Sequence, residues 1–306
     1  MRNLLKSLWL DCFLLGDRLG VHVLPKHYYS PVPDYLWLRR NKRLWMRRAG
    51  LSGVEWDLDR QLEWLGSTCR PYVGEVEGLA VYRKAVEEGW GLGYGPIESE
   101  VLHCFIRSKR PGRVVEIGSG VSTACLVHAS RLNAAEGERS PEITCIEPYP
   151  GRGLASLGGE VTQIRQLCQA VPAEVFEQLR AGDLLFIDST HSVKVGSEVM
   201  RIYLEIIPRL PPGVFLHIHD VYLPYLYPRD ALRSPFGWQE TALVLALLTN
   251  NSHMKVLSCL PALHYDRGDG LTGLFKDYAP EQDEEGLSKH DPAIGHFPSS
   301  MWIETT

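Results

Sequence analysis

The feature that most constrains this chain is a short apolar run that passes directly into a glycine-containing turn. Val114, Val115 and Ile117 form the run, and Gly118 and Gly120 follow it. An unbroken run of β-branched and apolar residues is typical of a central strand in a parallel sheet. Glycine at both turn positions permits a backbone geometry and a close ligand approach that a Cβ would obstruct. The pattern predicts a buried strand followed by a candidate nucleotide-binding turn.

Three observations weigh against a dinucleotide site at this turn. The Gly-x-Gly-x-x-Gly fingerprint would need glycine or alanine where the chain has Thr123, and it leaves Glu116 unexplained. A second apolar run, 143–147, ends in Glu147, whose carboxylate suits a grip on both hydroxyls of a ribose. Glu147 lies 29 positions after Gly118, whereas about 20 are expected for a dinucleotide site. The spacing therefore disfavours NAD.

Predicted strands alternate with predicted helices over residues 96–306. The expected strands are 113–117, 143–147, 161–167, 183–188, 213–220, 254–259 and 301–304. The expected helices are 96–108, 122–132, 195–210 and 238–250. This alternation predicts an α/β fold with a doubly wound, Rossmann-like, mostly parallel seven-stranded sheet. In such a sheet the ligand lies beyond the carboxyl ends of the strands, where the strand order reverses.

Residues 1–95 are predicted to form a mainly helical N-terminal extension. Leu8, Cys12, Leu15 and Leu19 recur at helical spacing, which predicts an amphipathic helix packed on the body of the protein or on a second subunit. Docking on a membrane surface is the alternative. Asp11 interrupts the apolar run and no small-x-small cleavage site follows it, so neither a signal peptide nor a transmembrane segment is predicted.

Composition places broad limits on the class of protein. The chain has 306 residues, 44% of them hydrophobic and 23% charged, as in ordinary globular proteins. The net charge of −5 gives no basic signature, so no nucleic-acid partner is expected. The seven cysteines are odd in number and contain no Cys-x-x-Cys pair. Reduced, mostly buried thiols and a cytoplasmic location are therefore expected.

Ionisable residues follow two further predicted strands. Asp188 and His191 share the loop after the fourth strand, and His219 and Asp220 end the fifth. Carboxylate oxygens with one imidazole suit Mg²⁺ or Mn²⁺, so Asp188, His219 and Asp220 are the predicted metal ligands. His191 is the predicted general base, because a neutral imidazole can take a proton from a hydroxyl near physiological pH. A structural role for His191 is the alternative, and His217 is expected in the core.

Together these residues resemble the class I S-adenosylmethionine-dependent methyltransferases. In that family a Glu-x-Gly-x-Gly motif follows the first strand and an acidic residue ends the second, as Glu116, Gly118, Gly120 and Glu147 do here. The resemblance implies that Glu116 and the glycine turn hold the methionine part of the cofactor and that Glu147 holds the ribose. It also implies cofactor contacts by Ser119, Ser122, Thr123, Pro148, Cys168, Gln169 and Asp188. Among these, Cys168 and Gln169 would line the adenine.

The later strand ends resemble the divalent-metal O-methyltransferases. Acidic metal ligands follow strands four and five in those enzymes, as Asp188 and Asp220 do here, and the base stands three residues after the first ligand, as His191 does. His219 stands where those enzymes often have another carboxylate. The Asp-x-x-His pattern also resembles the cephalosporin-hydroxylase-like branch of the same superfamily.

The resemblance implies an enzyme that transfers a methyl group from S-adenosylmethionine to a hydroxyl or carboxyl oxygen of a small molecule or sugar. A metal-dependent oxidoreductase-like member of the superfamily and a non-catalytic nucleotide-binding module are the alternatives. The N-terminal extension is expected to cap the acceptor site or to form a homodimer. Segment 89–95 resembles one that closes over the cofactor, although its four glycines at alternate positions equally suit a flexible interdomain link. The loop 221–237 suits a substrate lid.

Overall fold

The computed structural model describes residues 2–228, 231–233, 237–278 and 298–306. Contacts between residues divide the chain into two compact units, 1–45 and 46–306. The first unit contains helices α1 (Arg2–Arg18), α2 (Tyr35–Arg40) and α3 (Lys42–Trp45). Helix α1 covers the run that was predicted to be an amphipathic helix. The predicted role of the extension as a cap or dimerisation segment stays a prediction, and residues 46–95 lie in the same unit as the sheet.

The second unit is built around a seven-stranded sheet. Its strands are β1 (Arg113–Ile117), β2 (Glu142–Ile146), β3 (Val161–Ile164), β4 (Leu184–Ile187), β5 (Phe215–Ile218), β6 (Met254–Cys259) and β7 (Met301–Thr305). The order is β3-β2-β1-β4-β5-β7-β6. Strand β7 runs antiparallel to both of its neighbours, β5 and β6, and the other pairings among the described strands are parallel. The predicted doubly wound, mostly parallel sheet is confirmed, and each predicted strand overlaps an observed one.

Helices cover both faces of this sheet. They are α4 (Leu58–Cys69), α5 (Ala80–Glu87), α6 (Pro96–Lys109), α7 (Val121–Ala135), α8 (Arg152–Ser156), α9 (Glu174–Glu177), α10 (Glu198–Arg201), α11 (Glu240–Leu248), α12 (Leu260–Asp266) and α13 (Gly268–Leu274). After α10 the chain continues through a π-helical turn, Ile202–Ile206, and a 3₁₀ turn, Ile207–Arg209. The predicted helix over 195–210 is therefore irregular, in keeping with Pro208, which has no N–H to donate.

Side chains of strand β1 pack in hydrophobic clusters on both faces of the sheet. Val114 packs in one hydrophobic cluster, and Val115 and Ile117 pack in a second cluster on the opposite face. From β1 the chain adds β2 and β3 on one side and β4 and β5 on the other. The strand order therefore reverses between β1 and β4, and a ligand is expected at their carboxyl ends.

The cysteines are free thiols, and all but Cys12 are buried, as the sequence predicted. Among the described residues, no helix combines the length and the apolarity that a membrane crossing requires.

Candidate active site

The turn after β1 is shaped for close contact, and its two glycines have different roles. Gly118 has a φ of +101°, and a Cβ there would lie 2.5 Å from the backbone oxygen of Asp188. Only glycine fits this position without strain. Gly120 is extended, with φ 170°, and a Cβ there would find nothing nearer than the carbonyl oxygen of Trp90 at 3.9 Å. The space before Gly120 is therefore left open by the described residues.

Glu116 lies on β1 just before this turn and is hydrogen-bonded to residues that follow it. Its side chain is fully buried and accepts hydrogen bonds from Ser122 Oγ at 2.6 Å, Thr123 Oγ1 at 2.8 Å and Cys145 Sγ at 2.9 Å. Burial raises the pKa of Glu116 to about 7, although these donors favour its ionised form. Thr123 Oγ1 also accepts the N–H of Gly120 at 3.1 Å. Glu116, Ser122 and Thr123 thus tie the start of α7 to β1 and β2, and their cofactor contacts stay predictions.

Glu147 lies beside the turn at the end of β2. Its carboxylate accepts hydrogen bonds from Ser119 Oγ at 3.4 Å and from the N–H of Tyr149 at 2.7 Å. The side chain of Glu147 is half-buried, as is the adjacent Pro148. A carboxylate has about four acceptor positions, so the remaining ones suit two ribose hydroxyls.

Trp90 of segment 89–95 lies near Gly120 of the turn and Gly153 of α8, and closure of this segment over a cofactor stays a prediction. A Cβ on Gly153 of α8 would lie 2.6 Å from the indole ring of Trp90. The segment is anchored by Tyr94, which is buried and whose hydroxyl lies 3.1 Å from His217 Nε2. His217 is itself fully buried and stacks on Phe186, so its predicted place in the core is confirmed.

The two residues predicted to line the adenine, Cys168 and Gln169, are in contact with other residues of this chain. Cys168 is buried after β3, which raises the pKa of its thiol to about 12. Gln169 donates its side-chain amide to the carbonyl oxygen of Gly196 at 3.0 Å and to Glu198 Oε2 at 3.3 Å. Their contact with a cofactor stays a prediction.

A cluster of six ionisable side chains lies at the carboxyl ends of β4 and β5. Its members are Glu98 of α6, Asp188 and His191 after β4, His219 and Asp220 after β5, and Glu240 of α11. All are buried except Asp188, whose side chain is 28% exposed. Asp188 is therefore the accessible edge of the cluster.

His191 lies among three carboxylates. Its Nε2 is 3.4 Å from Asp188 Oδ1 and 3.2 Å from Asp220 Oδ2. Its Nδ1 is 2.7 Å from Glu240 Oε2. One nitrogen therefore faces the two aspartates, and the other faces a buried glutamate.

His219 repeats this arrangement with a different glutamate. Its Nδ1 is 3.2 Å from Asp188 Oδ1 and 3.8 Å from Asp220 Oδ2. Its Nε2 is 3.4 Å from Glu98 Oε2. The two aspartates are thus shared by both imidazoles, while each imidazole has a glutamate of its own.

Two members of the cluster have left-handed backbones. His191 has φ +58° and Asp220 has φ +56°, a region that costs a non-glycine residue about 1–3 kcal/mol. The start of α11 holds both in place, because the carbonyl of His191 accepts the N–H of Gln239 at 3.0 Å and the carbonyl of Asp220 accepts Thr241 Oγ1 at 3.3 Å. Backbone strain of this kind concentrates at functional sites.

The carboxylates determine the charge of the imidazoles. Burial alone would lower the pKa of His191, but Asp220, Asp188 and Glu240 raise it to about 10. The pKa of His219 is likewise raised well above its usual value, against the effect of burial, with Asp220 as the main cause. A general base needs a neutral imidazole, and these carboxylates favour the protonated form of His191 in the metal-free protein.

The cluster fits a divalent cation. Donor atoms of Asp188, His191 and His219 all lie within 4.8 Å of one another, and Asp220 adjoins them. Burial would raise the pKa of Asp188, but the imidazoles of His219 and His191 hold it well below its usual range. Asp188 and Asp220 bring two carboxylates against the imidazole nitrogens in a largely buried place, where a cation would offset their negative charge. The predicted metal ligands Asp188, His219 and Asp220 are therefore brought together.

Residues 115–221 match a family model described as a methyltransferase domain. This segment is similar to methyltransferase domains, in keeping with the resemblance of Glu116, Gly118, Gly120 and Glu147 to the class I S-adenosylmethionine-dependent methyltransferases. It runs from β1 through Asp220, and so contains the glycine turn, Glu147 and four members of the cluster.

Other similar proteins give less detail. An uncharacterized protein from Archaeoglobus fulgidus is 29% identical over 136 residues, which are 41% of this chain and 58% of that protein. The plantazolicin methyltransferase BpumL, solved with a triazolic desmethylPZN analog and SAH, is 11% identical with a TM-score of 0.38, over 82% of this chain and 100% of that one. BpumL with SAH alone gives 10% identity and a TM-score of 0.37, over 81% and 96%. At identities and TM-scores this low, neither structure supports a statement about the function of this chain.

Sequence reasoning did not place Glu98 and Glu240 in this cluster, although segment 238–241 suited the lining of an acceptor pocket. Glu98 stands at the third position of α6, and its Oε2 accepts the N–H of Gly95 at 3.1 Å. Glu240 begins α11, close to Trp238, whose ring centroid is 4.8 Å from that of His191. Both look like ordinary helix-start residues in sequence. Part of the predicted lid, 229–230 and 234–236, lies outside the described residues.

Proposed function

We propose that this methyltransferase domain transfers a methyl group from S-adenosylmethionine to a hydroxyl or carboxyl oxygen of a small molecule or sugar, with a divalent cation in the cluster. One observation carries the proposal. Gly118 of the cofactor turn lies directly against the backbone of Asp188, the accessible edge of the cluster. The predicted methyl donor and the candidate metal site are therefore contiguous.

The chain's own residues would divide the work. The turn at Gly118 and Gly120 would receive the methionine part, Glu147 would bind the ribose hydroxyls, and Trp90 would cover the site. Asp188 and Asp220 would position the cation. A divalent cation bound there polarises an acceptor oxygen and lowers the pKa of an acceptor hydroxyl, which favours oxygen as the methyl acceptor.

A second candidate function is favoured by one observation. Asp188, His191 and His219 supply one carboxylate and two imidazoles, the ligand set that non-haem Fe(II) oxygenases use. A metal-dependent oxidoreductase-like activity is therefore the alternative.

A product scan separates the two functions. The full chain is incubated with isotope-labelled S-adenosylmethionine and a metabolite panel, with Mg²⁺, Mn²⁺, Zn²⁺ or Fe²⁺ in air. We expect label in an O-methylated product. Oxidised products without transferred label, obtained only with Fe²⁺ and dioxygen, would favour the alternative.

The cofactor assignment makes a direct prediction. Glu147→Ala should weaken binding of S-adenosylhomocysteine by at least roughly tenfold, because charge-assisted hydrogen bonds to the ribose contribute about 1.5–3 kcal/mol each. Calorimetry measures this. Glu142→Ala is the matched control, since Glu142 lies at the opposite end of β2 with its side chain 76% exposed. If the wild-type protein bound NAD(H) but not adenosylhomocysteine, the assignment of S-adenosylmethionine as the cofactor would be wrong.

A further inference from the structure

Four donor atoms of the cluster alternate between nitrogen and oxygen around a ring. In order they are Asp188 Oδ1, His191 Nε2, Asp220 Oδ2 and His219 Nδ1, and neighbours are separated by 3.4, 3.2, 3.8 and 3.2 Å. Ligands bound to one ion at about 2.0–2.2 Å lie roughly 3.0–3.5 Å apart at right or tetrahedral angles. Donor atoms of Asp188, His191 and His219 all lie within 4.8 Å of one another, so these three residues are spaced as ligands of a single ion. Asp220 Oδ2 adjoins them, at 3.8 Å from His219 Nδ1.

The outer nitrogen of each imidazole meets a buried carboxylate. His191 Nδ1 is 2.7 Å from Glu240, and His219 Nε2 is 3.4 Å from Glu98. Both glutamates are 1% exposed, and each has its other oxygen buried without a hydrogen-bond partner in the described structure. Metal-bound histidines characteristically donate their second N–H to such a carboxylate, which fixes the ring and its tautomer.

We infer that Asp188, His191 and His219 form a three-ligand site for a first-row transition metal beside Asp220, with Glu240 and Glu98 as the positioning residues that orient the imidazoles. The inference deepens the proposed function and rests on its divalent cation. Mg²⁺ prefers an octahedron of oxygens and holds its water firmly. Two imidazoles and one carboxylate instead suit Zn²⁺, Fe²⁺, Co²⁺ or Ni²⁺.

This assignment changes the role of His191. A ligand must offer a neutral nitrogen to the ion, so His191 Nε2 would be occupied and could not accept a proton from the methyl acceptor. Glu240 on the opposite nitrogen would hold the remaining N–H. The predicted general base is then a metal ligand, which a metal-binding measurement can show.

The test is a metal titration of the full chain after chelation and dialysis. Calorimetry should show one site per chain, with Zn²⁺ or Co²⁺ bound roughly 10²-fold or more tightly than Mg²⁺. His191→Ala should weaken Zn²⁺ binding by at least roughly tenfold, and Glu240→Gln and Glu98→Gln by roughly 10–100-fold. Matched controls are His253→Ala and Glu142→Gln, which change exposed residues remote from the site.

A measurement on the wild-type protein guards against variants that do not fold. Co²⁺ shifts the proton resonances of histidines that bind it, so the Co²⁺ form should show two shifted imidazole N–H signals, one for each histidine held by a glutamate. Fewer than two such signals would overturn the inference. Mg²⁺ affinity equal to that of Zn²⁺, or unchanged Zn²⁺ affinity in folded His191→Ala, would also overturn it.

Binding of adenosylhomocysteine is measured on the same samples. Zn²⁺ binding without adenosylhomocysteine binding would leave the metal site standing and reject the proposed methyl transfer. Adenosylhomocysteine binding without preferential Zn²⁺ binding would do the reverse. The two proposals can therefore fail separately.

Discussion

Gly120→Ala is expected to weaken adenosylhomocysteine binding by roughly 10–100-fold and to leave Tm unchanged. The extended backbone of Gly120 accepts any residue, and an added Cβ would meet only the Trp90 carbonyl oxygen, at 3.9 Å. The protein therefore has no need for glycine here. A cofactor that lies against this backbone would require glycine, because an extra methyl group in a close contact would weaken binding by about 1–3 kcal/mol.

Gly118→Ala is the matched comparison, and it should fail in a different way. Its positive φ and the 2.5 Å approach of a Cβ to the Asp188 oxygen both penalise the folded protein. Each effect costs about 1–3 kcal/mol, so Tm should fall along with affinity. Calorimetry and thermal melts of the two variants measure the contrast. If Gly120→Ala binds adenosylhomocysteine like the wild type, no cofactor lies on this turn.

The sheet could be predicted because its central strands β1, β4 and β5 are buried on both faces. Val114, Val115 and Ile117 pack in hydrophobic clusters on the two faces of the sheet, and every described strand except β6 is followed by a polar, charged or glycine residue that marks its boundary. Helix α12 was missed for the opposite reason. The apolar character of β6 continues through Cys259 into Leu260 and beyond, so no polar residue marks the change from strand to helix.

The candidate site was predictable only where it follows strand ends. Asp188, His219 and Asp220 could be brought together because parallel strands meet at one edge of the sheet. Glu98 and Glu240 arrive from helices, and helix-start glutamates have a structural explanation of their own. Without them, the sequence could not show that His191 has a carboxylate on each side, and the general-base role was the natural prediction.

These carboxylates make the stability of the metal-free protein depend on pH. The pKa of His191 is raised to about 10 in the folded protein by Asp220, Asp188 and Glu240, against the effect of burial. Its unfolded value is about 6.5. A raised pKa stabilises the fold fully below the unfolded value, and this stabilisation is lost as pH rises towards the folded value. As pH rises from 6.5 to 10, the loss of this stabilisation by His191 should therefore lower the free energy of unfolding by up to about 1.4 kcal/mol for each pH unit.

Urea denaturation of chelated protein across this range measures the effect, and His191→Gln isolates it. Glu116 and Glu100 also bind protons more strongly in the folded state, but they contribute to both proteins and cancel in the difference. His219 shares Asp188 and Asp220 with His191, so the difference reports His191 together with its coupling to His219. Zn²⁺ should remove the His191 contribution, because the ion takes the place of the proton on Nε2. Parallel pH profiles for wild type and variant without metal would show that the carboxylates do not hold a proton on His191. An imidazole NMR titration midpoint near pH 6.5 would show the same directly, and would restore the neutral ring that a general base requires.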